Sequence, residues 1–197
     1  GITKGVHQIG DVMYDALLRN LELSHNKSNI LERMNLKKGE YALATVHRAG
    51  NTDNPNNMQS ILDALGSLPT RVIFPVHPRA RKRIEEWGFT VNPNVSMIEP
   101  LGPLDILQMQ ANADCILTDS GGMQKEAYLL GARCITLREE TEWVETVSAG
   151  WNSLAGVDAK RIRALYKTWK PEGERPLLYG DGHAAEKISQ ILHDELK

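Results

Sequence analysis

The sequence predicts an α/β protein, a Rossmann-like doubly wound parallel sheet. Three observations carry that prediction. Short apolar runs alternate along the chain with longer stretches whose apolar residues recur at helical spacing. The joins between them are short, which selects βαβ units and therefore parallel pairing. The runs are apolar almost throughout rather than at every second residue, as a sheet covered by helices on both faces requires.

The elements follow in order. Residues 1–10 read as a leading strand or linker, and Asp11 to Leu23 as an amphipathic helix with Val12, Ala16 and Leu17 on one stripe. Little in residues 1–6 anchors them to a sheet, so the chain is expected to continue from a preceding domain. Tyr41 to Val46 is the first buried strand. Asn54 to Leu68 is a helix, with Asp53 or Asn54 as cap, Pro55 in the first turn and Met58, Ile61, Leu62 and Leu65 on one face. Arg71 to Val76 is the second strand, Pro78 to Trp87 a basic helix, Val95 to Ile98 the third strand and Pro103 to Asn112 a helix. Asp114 to Thr118 is the fourth strand. Gly121 to Leu130 is a helix stopped by Gly131, and Arg133 to Leu137 the fifth strand. Helices at about 158–168 and 183–196 close the chain.

Composition narrows the function classes. The 197 residues are 41% hydrophobic and 24% charged, ordinary for a globular chain. Lys and Arg number 23 against 25 Asp and Glu, a net charge of -2, so the basic excess of a sequence-independent nucleic-acid binder is missing. No apolar run approaches the length of a membrane-spanning helix, and no charged-then-apolar leader is present. Nucleic acid and membrane are therefore not expected as partners. Cys115 and Cys134, each inside an apolar run, are expected to be buried free thiols of a cytoplasmic protein.

In a doubly wound sheet the ligand lies beyond the carboxyl ends of the strands, so the segments just after each strand are the place to look. After the first stand His47 and Arg48, an imidazole and a phosphate-matching guanidinium, or else a strand-end cap and a surface arginine. After the second, His77, Arg79, Arg81, Lys82 and Arg83 crowd seven residues behind a helix start at Pro78. An anion site is one reading, and a solvated basic face is the better one for Arg81, Lys82 and Arg83. After the fourth comes Asp119-Ser120-Gly121-Gly122-Met123-Gln124-Lys125-Glu126, the sharpest feature. Ser120 is a good cap, and two glycines let a phosphate approach bare N–H groups at the helix start. Glu126 falls one turn on, tilted back toward the ligand, where a carboxylate suits the hydroxyls of a ribose. A capped helix with glycines for close packing is the plainer alternative. After the fifth, Glu139, Glu140, Glu142 and Glu145 crowd one segment, more suited to shaping a pocket than to holding a metal. Tyr179-Gly180-Asp181-Gly182-His183 reads as a tight turn feeding the last helix.

Taken together, Thr45-Val46-His47-Arg48, His77-Pro78, Thr118 to Ala127 with its DSGG string, Leu130-Gly131, Arg138, Thr141-Glu142 and Tyr179 to Ala184 resemble, in order and over almost the whole chain, the non-hydrolysing UDP-N-acetylglucosamine 2-epimerases. The resemblance implies the C-terminal, nucleotide-binding half of a two-domain GT-B fold, with residues 1–22 as interdomain linker and crossing helix and 23–197 as the domain. It implies conversion of UDP-GlcNAc to UDP-ManNAc by anti elimination of UDP and syn re-addition, without redox cofactor or required metal. The proton-transfer carboxylates would lie in an N-terminal domain. Carried over residue by residue, His47 is the catalytic histidine near the diphosphate. Ser120, Gly121, Gly122 and Arg138 hold the diphosphate, Glu126 the ribose, and Leu101 the uracil pocket. Arg48 and His77 match a regulatory UDP-sugar or phosphate site. The family also implies a homodimer. This sequence departs from the family pattern at Gly50, at Trp143-Val144 and at Leu177-Leu178. A related UDP-diacetamido-uronic acid is the alternative substrate, and a GT-B glycosyltransferase the alternative enzyme.

Overall fold

A computed structural model describes residues 1–196. Six parallel strands form one sheet in the order β3-β2-β1-β4-β5-β6. They are β1 (Tyr41–Thr45), β2 (Arg71–Pro75), β3 (Val95–Ile98), β4 (Cys115–Thr118), β5 (Cys134–Thr136) and β6 (Asn152–Leu154). The α/β doubly wound expectation holds, with one strand more than the five read from the sequence. β6 escaped because it is three residues long and half polar, an edge strand with no apolar run to betray it.

The helices cover both faces. Against one face lie α4 (Pro55–Gly66), α5 (Pro78–Glu86) and α9 (Ala159–Thr168), burying Met58, Ile61, Leu65, Ile84 and Ile162 on Ala42, Ala44, Phe74 and Leu117. Against the other lie α2 (Ile30–Arg33), α6 (Pro103–Asn112) and α7 (Gly121–Leu130). Adjacent residues of β1 point to opposite layers: Tyr41 and Leu43 to the second, Ala42 and Ala44 to the first. Each fully buried large side chain contributes about 1.5–3 kcal/mol. The Tyr41 hydroxyl donates to the Met109 carbonyl at 2.7 Å, so its burial leaves no orphaned polar group.

Outside α6 runs α1 (Val12–Lys27), one turn longer than the sequence suggested, and α10 (Ala184–Glu195) packs on α1. Two one-turn helices, α3 (Ala49–Thr52) and α8 (Val144–Ser148), fill joins read as loops. Asn54 caps α4 through the N–H groups of Asn56 and Asn57, and Gly131 ends α7 in the left-handed conformation at φ 70°. Cys115 and Cys134 are buried and unbridged, and burial pushes the Cys134 thiol up to about 12.

At the sheet end away from the carboxyl ends, Arg133 donates to the Asp114 carboxylate at 2.6 Å and to the carbonyls of Tyr166 and Trp169. This knot fastens the end of α9 beneath β4 and β5, leaving the opposite end to be shaped by the segments that follow the strands.

Candidate functional site

The strand order reverses between β1 and β4, so the crevice at the switch point opens beyond Thr45 and Thr118. These two residues are in register, and their hydroxyls share a hydrogen bond of 2.7 Å. The next residue, Asp119, is fully buried. Its carboxylate accepts from the backbone N–H of His47 at 3.1 Å, that of Arg48 at 3.0 Å and the Asn51 amide at 3.0 Å. Asn51 also donates to the Leu137 carbonyl. One buried acid thus gathers the segments that follow β1, β4 and β5. Its donors satisfy it without a partner cation, which is what makes its burial tolerable.

α7 begins at this crevice. Ser120 Oγ accepts from the Met123 N–H. Among the described residues no acceptor takes the N–H of Gly121 or Gly122. A Cβ built on Gly121 would lie 3.3 Å from Glu142 Oε2 and 3.5 Å from Trp143 Nε1. On Gly122 it would find nothing nearer than Ser120 Oγ at 3.9 Å. The backbone over Gly122 is therefore open, and two N–H groups at the positive end of a helix present an anion-binding face. Glu126 stands one turn in. Its Oε2 accepts from Gln110 of α6 at 2.7 Å, and Gln110 is itself almost wholly buried.

Two arginines border the helix start. Arg48 Nη2 donates to Glu142 Oε1 at 3.0 Å, and Arg138 Nη1 donates to both Glu142 oxygens at 3.2 and 2.9 Å. The Arg138 hydrogen bond, chiefly, holds the Glu142 carboxyl down at about 2. Thr141 is hydrogen-bonded to the buried Gln124 at 2.6 Å, and the Trp143 indole donates to the Gly121 carbonyl at 2.7 Å. The acidic segment read as pocket-shaping is thus pinned on either side of Glu142. Among the described residues no group of three His, Cys, Asp or Glu side chains is placed to hold a metal.

On the β2 side lie two cavities. One, of about 200 Å³, is floored by Val46, Pro75, Leu101, Ile106 and Met123, with His47 and His77 also on its wall. The other, of about 250 Å³, is lined by His47, Thr52, His77, Arg79 and Ala80. His77 caps α5 by accepting the Arg79 N–H on Nδ1 at 3.3 Å. The structure therefore brings His47, His77 and Leu101 together, and separately Arg48, Arg138 and the glycines of α7. Arg48 bonds toward Arg138 and not toward His77. Arg81, Lys82 and Arg83 form surface ion pairs with Glu99 and Glu86, as a solvated basic face should.

Several residues at the site had no individual role assigned from sequence: Asp119, Asn51, Gln110 and Lys125, while Glu142 was read only as part of a pocket-shaping segment. Lys125 is buried, ion-pairs with Asp11 at the cap of α1, and lies 4.5 Å over the Trp143 ring and 4.9 Å over that of Tyr179. The Tyr179 hydroxyl donates to Glu145 at 2.8 Å. A lysine inside an otherwise apolar helix stripe and the Tyr179-Gly180-Asp181-Gly182 turn were the signals of this cluster available in the sequence.

Comparison with known proteins adds four findings. The family model described as UDP-N-acetylglucosamine 2-epimerase matches residues 1–193. A "UDP-N-acetylglucosamine 2-epimerase homolog" of Methanococcus maripaludis is 43% identical over 98% of this chain and 56% of its own length. A UDP-2,3-diacetamido-2,3-dideoxy-D-glucuronate 2-epimerase of Pseudomonas aeruginosa is 36% identical over 93% of this chain and 51% of its own. Among solved structures, the Methanocaldococcus jannaschii UDP-GlcNAc 2-epimerase in complex with UDP-GlcNAc and UDP aligns with a TM-score of 0.80. It is 35% identical, over 94% of this chain and 54% of that one. The chain spans about half the length of the curated relatives it matches.

Proposed function

The chain belongs to the UDP-N-acetylglucosamine 2-epimerase family, and from that premise we propose that it is the UDP-binding half of an enzyme that interconverts UDP-GlcNAc and UDP-ManNAc. The observation that carries the reading is the start of α7 at the sheet's switch point: two glycine N–H groups at a helix N-terminus, bordered by Arg48 and Arg138. In the proposed reaction the C2 proton leaves, the C1–O bond to UDP breaks, and 2-acetamidoglucal and UDP form. UDP then re-adds at C1 while a proton returns to the other face of C2. The demand on this half is to hold the departing diphosphate and offset its growing charge. Preorganised N–H groups and guanidinium groups meet that demand without reorganising during the step.

In this reading Ser120, Gly121, Gly122 and Arg138 hold the diphosphate, with His47 beside it as the catalytic group of this half. Glu126, braced by Gln110, takes the ribose. The cavity floored by Leu101 takes the uracil, whose flat ring suits an apolar slot. His77 borders a second UDP-sugar or phosphate position, while Arg48, matched with it from the sequence, turns its guanidinium to Glu142 beside the proposed diphosphate. Residues 1–22 cross to a second domain that supplies the proton-transfer carboxylates. A homodimer, with neither nucleic acid nor membrane as partner, belongs to the same reading. So does a reducing cytoplasm, in keeping with the two unbridged thiols. No helix among the described residues is long and apolar enough to cross a membrane.

The Pseudomonas relative favours a second substrate, a UDP-diacetamido-uronic acid, on the same chemistry. Proton NMR of the full-length protein with each UDP-sugar tests both. The 2-epimer of UDP-GlcNAc appearing without any acceptor supports the first reading, and turnover of the uronic acid alone replaces it with the second.

A further inference from the structure

Glu142 stands in the wrong place for a bystander. Its carboxylate binds both arginines at the mouth of the site and lies 3.3 Å from where a Cβ on Gly121 would be. Any diphosphate laid across the N–H groups of Gly121 and Gly122 that reaches for Arg48 and Arg138 meets a negative charge already bound to both. We propose that Glu142 is an internal anion which the nucleotide's diphosphate must displace from Arg48 and Arg138. The inference rests on the nucleotide reading of the site and assigns that site a built-in competitor.

Three features favour exchange over a purely supporting role. Half the Glu142 side chain is exposed and Arg48 is open to a similar degree, so the Arg48 pair is a weak holder of geometry, readily traded. Arg138 is the more buried cation, and burial strengthens both its attraction for a diphosphate and the repulsion that Glu142 adds. The backbone on either side is fixed, Thr141 to Gln124 and Trp143 to Gly121. Glu142 therefore leaves by turning its own side chain, with no movement of the segment. The low carboxyl pKa agrees, because it means Glu142 stays charged wherever the diphosphate does. Without Glu142, Arg48 and Arg138 still flank α7, since Arg138 follows directly on the β5 ladder and Arg48 is held at its N–H by Asp119.

The test compares the chain with its E142Q variant by titration calorimetry, using UDP, inorganic pyrophosphate and uridine as three separate probes. Gln keeps the size of the side chain and removes its charge. The expected result is about three- to tenfold tighter binding of both UDP and pyrophosphate, with uridine affinity unchanged and thermal unfolding close to that of the parent. Unchanged or weaker binding of UDP and pyrophosphate would overturn the inference and make Glu142 a support for the arginines. Failure of the nucleotide reading looks different: the parent chain would then bind UDP no better than pyrophosphate, whatever Glu142 does.

Discussion

Asp119 and His47 sit one hydrogen bond apart and carry opposite expectations. Asp119 is fully buried and takes three N–H donors, two of them backbone. In Asp119→Asn an amide donor faces two N–H groups that cannot turn away. Loss of hydrogen bonds to a charged group costs about 3 kcal/mol here, or a fall of about 6–12 °C in Tm for a chain of this size, read by calorimetry. His47 is exposed, so His47→Ala should leave Tm nearly unchanged. In the full-length enzyme it should lower kcat and kcat/KM together, because its proposed interaction is with the departing charge. A rise in KM alone would make His47 a binding group only. Glu126→Ala should weaken UDP binding by about 1–3 kcal/mol, the worth of a charge-assisted hydrogen bond. Unchanged affinity in calorimetry would remove Glu126 from the ribose. The positions of His47, Ser120, Gly121, Gly122 and Glu126, just after a strand or one turn into a helix at the carboxyl end of the sheet, were legible in the sequence, and the proposed roles of His47 and Glu126 are what these variants test. Asp119 was visible in the same string, but its role was not. That role depends on the β1–β4 register, which pairs residues some seventy positions apart.

The same divide runs through the elements. Helices with a long apolar stripe, such as α4 and α7, could be placed from the sequence to within a residue or two. β6 and the one-turn helices could not, since three to five residues bury too little to leave a pattern. Also hidden was how the two ends of the chain grip one another. Asp15 of α1 accepts the Ala184 and Ala185 N–H groups at 3.1 and 2.7 Å, capping α10 from a distance of 169 residues. The Asp11 N–H donates to the Tyr179 carbonyl at 3.0 Å. Asp15→Ala should cost about 0.5–2 kcal/mol, as the loss of a helix cap does. Amide exchange should speed up in the first turn of α10 before it does in the sheet. The Asp11–Lys125 pair adds a pH dependence. Burial opposes ionisation of Asp11, but hydrogen bonds from Lys125 and the Met13 N–H outweigh it and hold the carboxyl below its usual range. A depressed folded-state pKa contributes stability in full above the ordinary aspartate range, and that stability is lost as pH falls through the folded value. Protection of the first turn of α1 should therefore fall in acid, and more steeply in the parent than in Lys125→Met. Equal acid sensitivity in both would exclude the pair as its source.

At the scale of the whole molecule, six strands and their helices bury a core that should fold by itself. The proposed site, however, has one wall. With the diphosphate open to water, its hydrogen bonds count for less than in a closed cleft, so UDP should bind weakly. Turnover needs an acid and a base within hydrogen-bond reach of C2. Of the acids near α7, Asp119 is committed to three N–H donors and Glu145 to Tyr179. The measurement that bears most directly on this division of labour is an NMR time course of UDP-GlcNAc with the purified 197-residue chain, alongside a UDP titration of the same sample. The account predicts weak, saturable UDP binding centred on residues 119–126 and no UDP-ManNAc. UDP-ManNAc formed by this chain alone at an enzyme's rate would contradict it and move the proton-transfer groups onto the segment that holds Glu142.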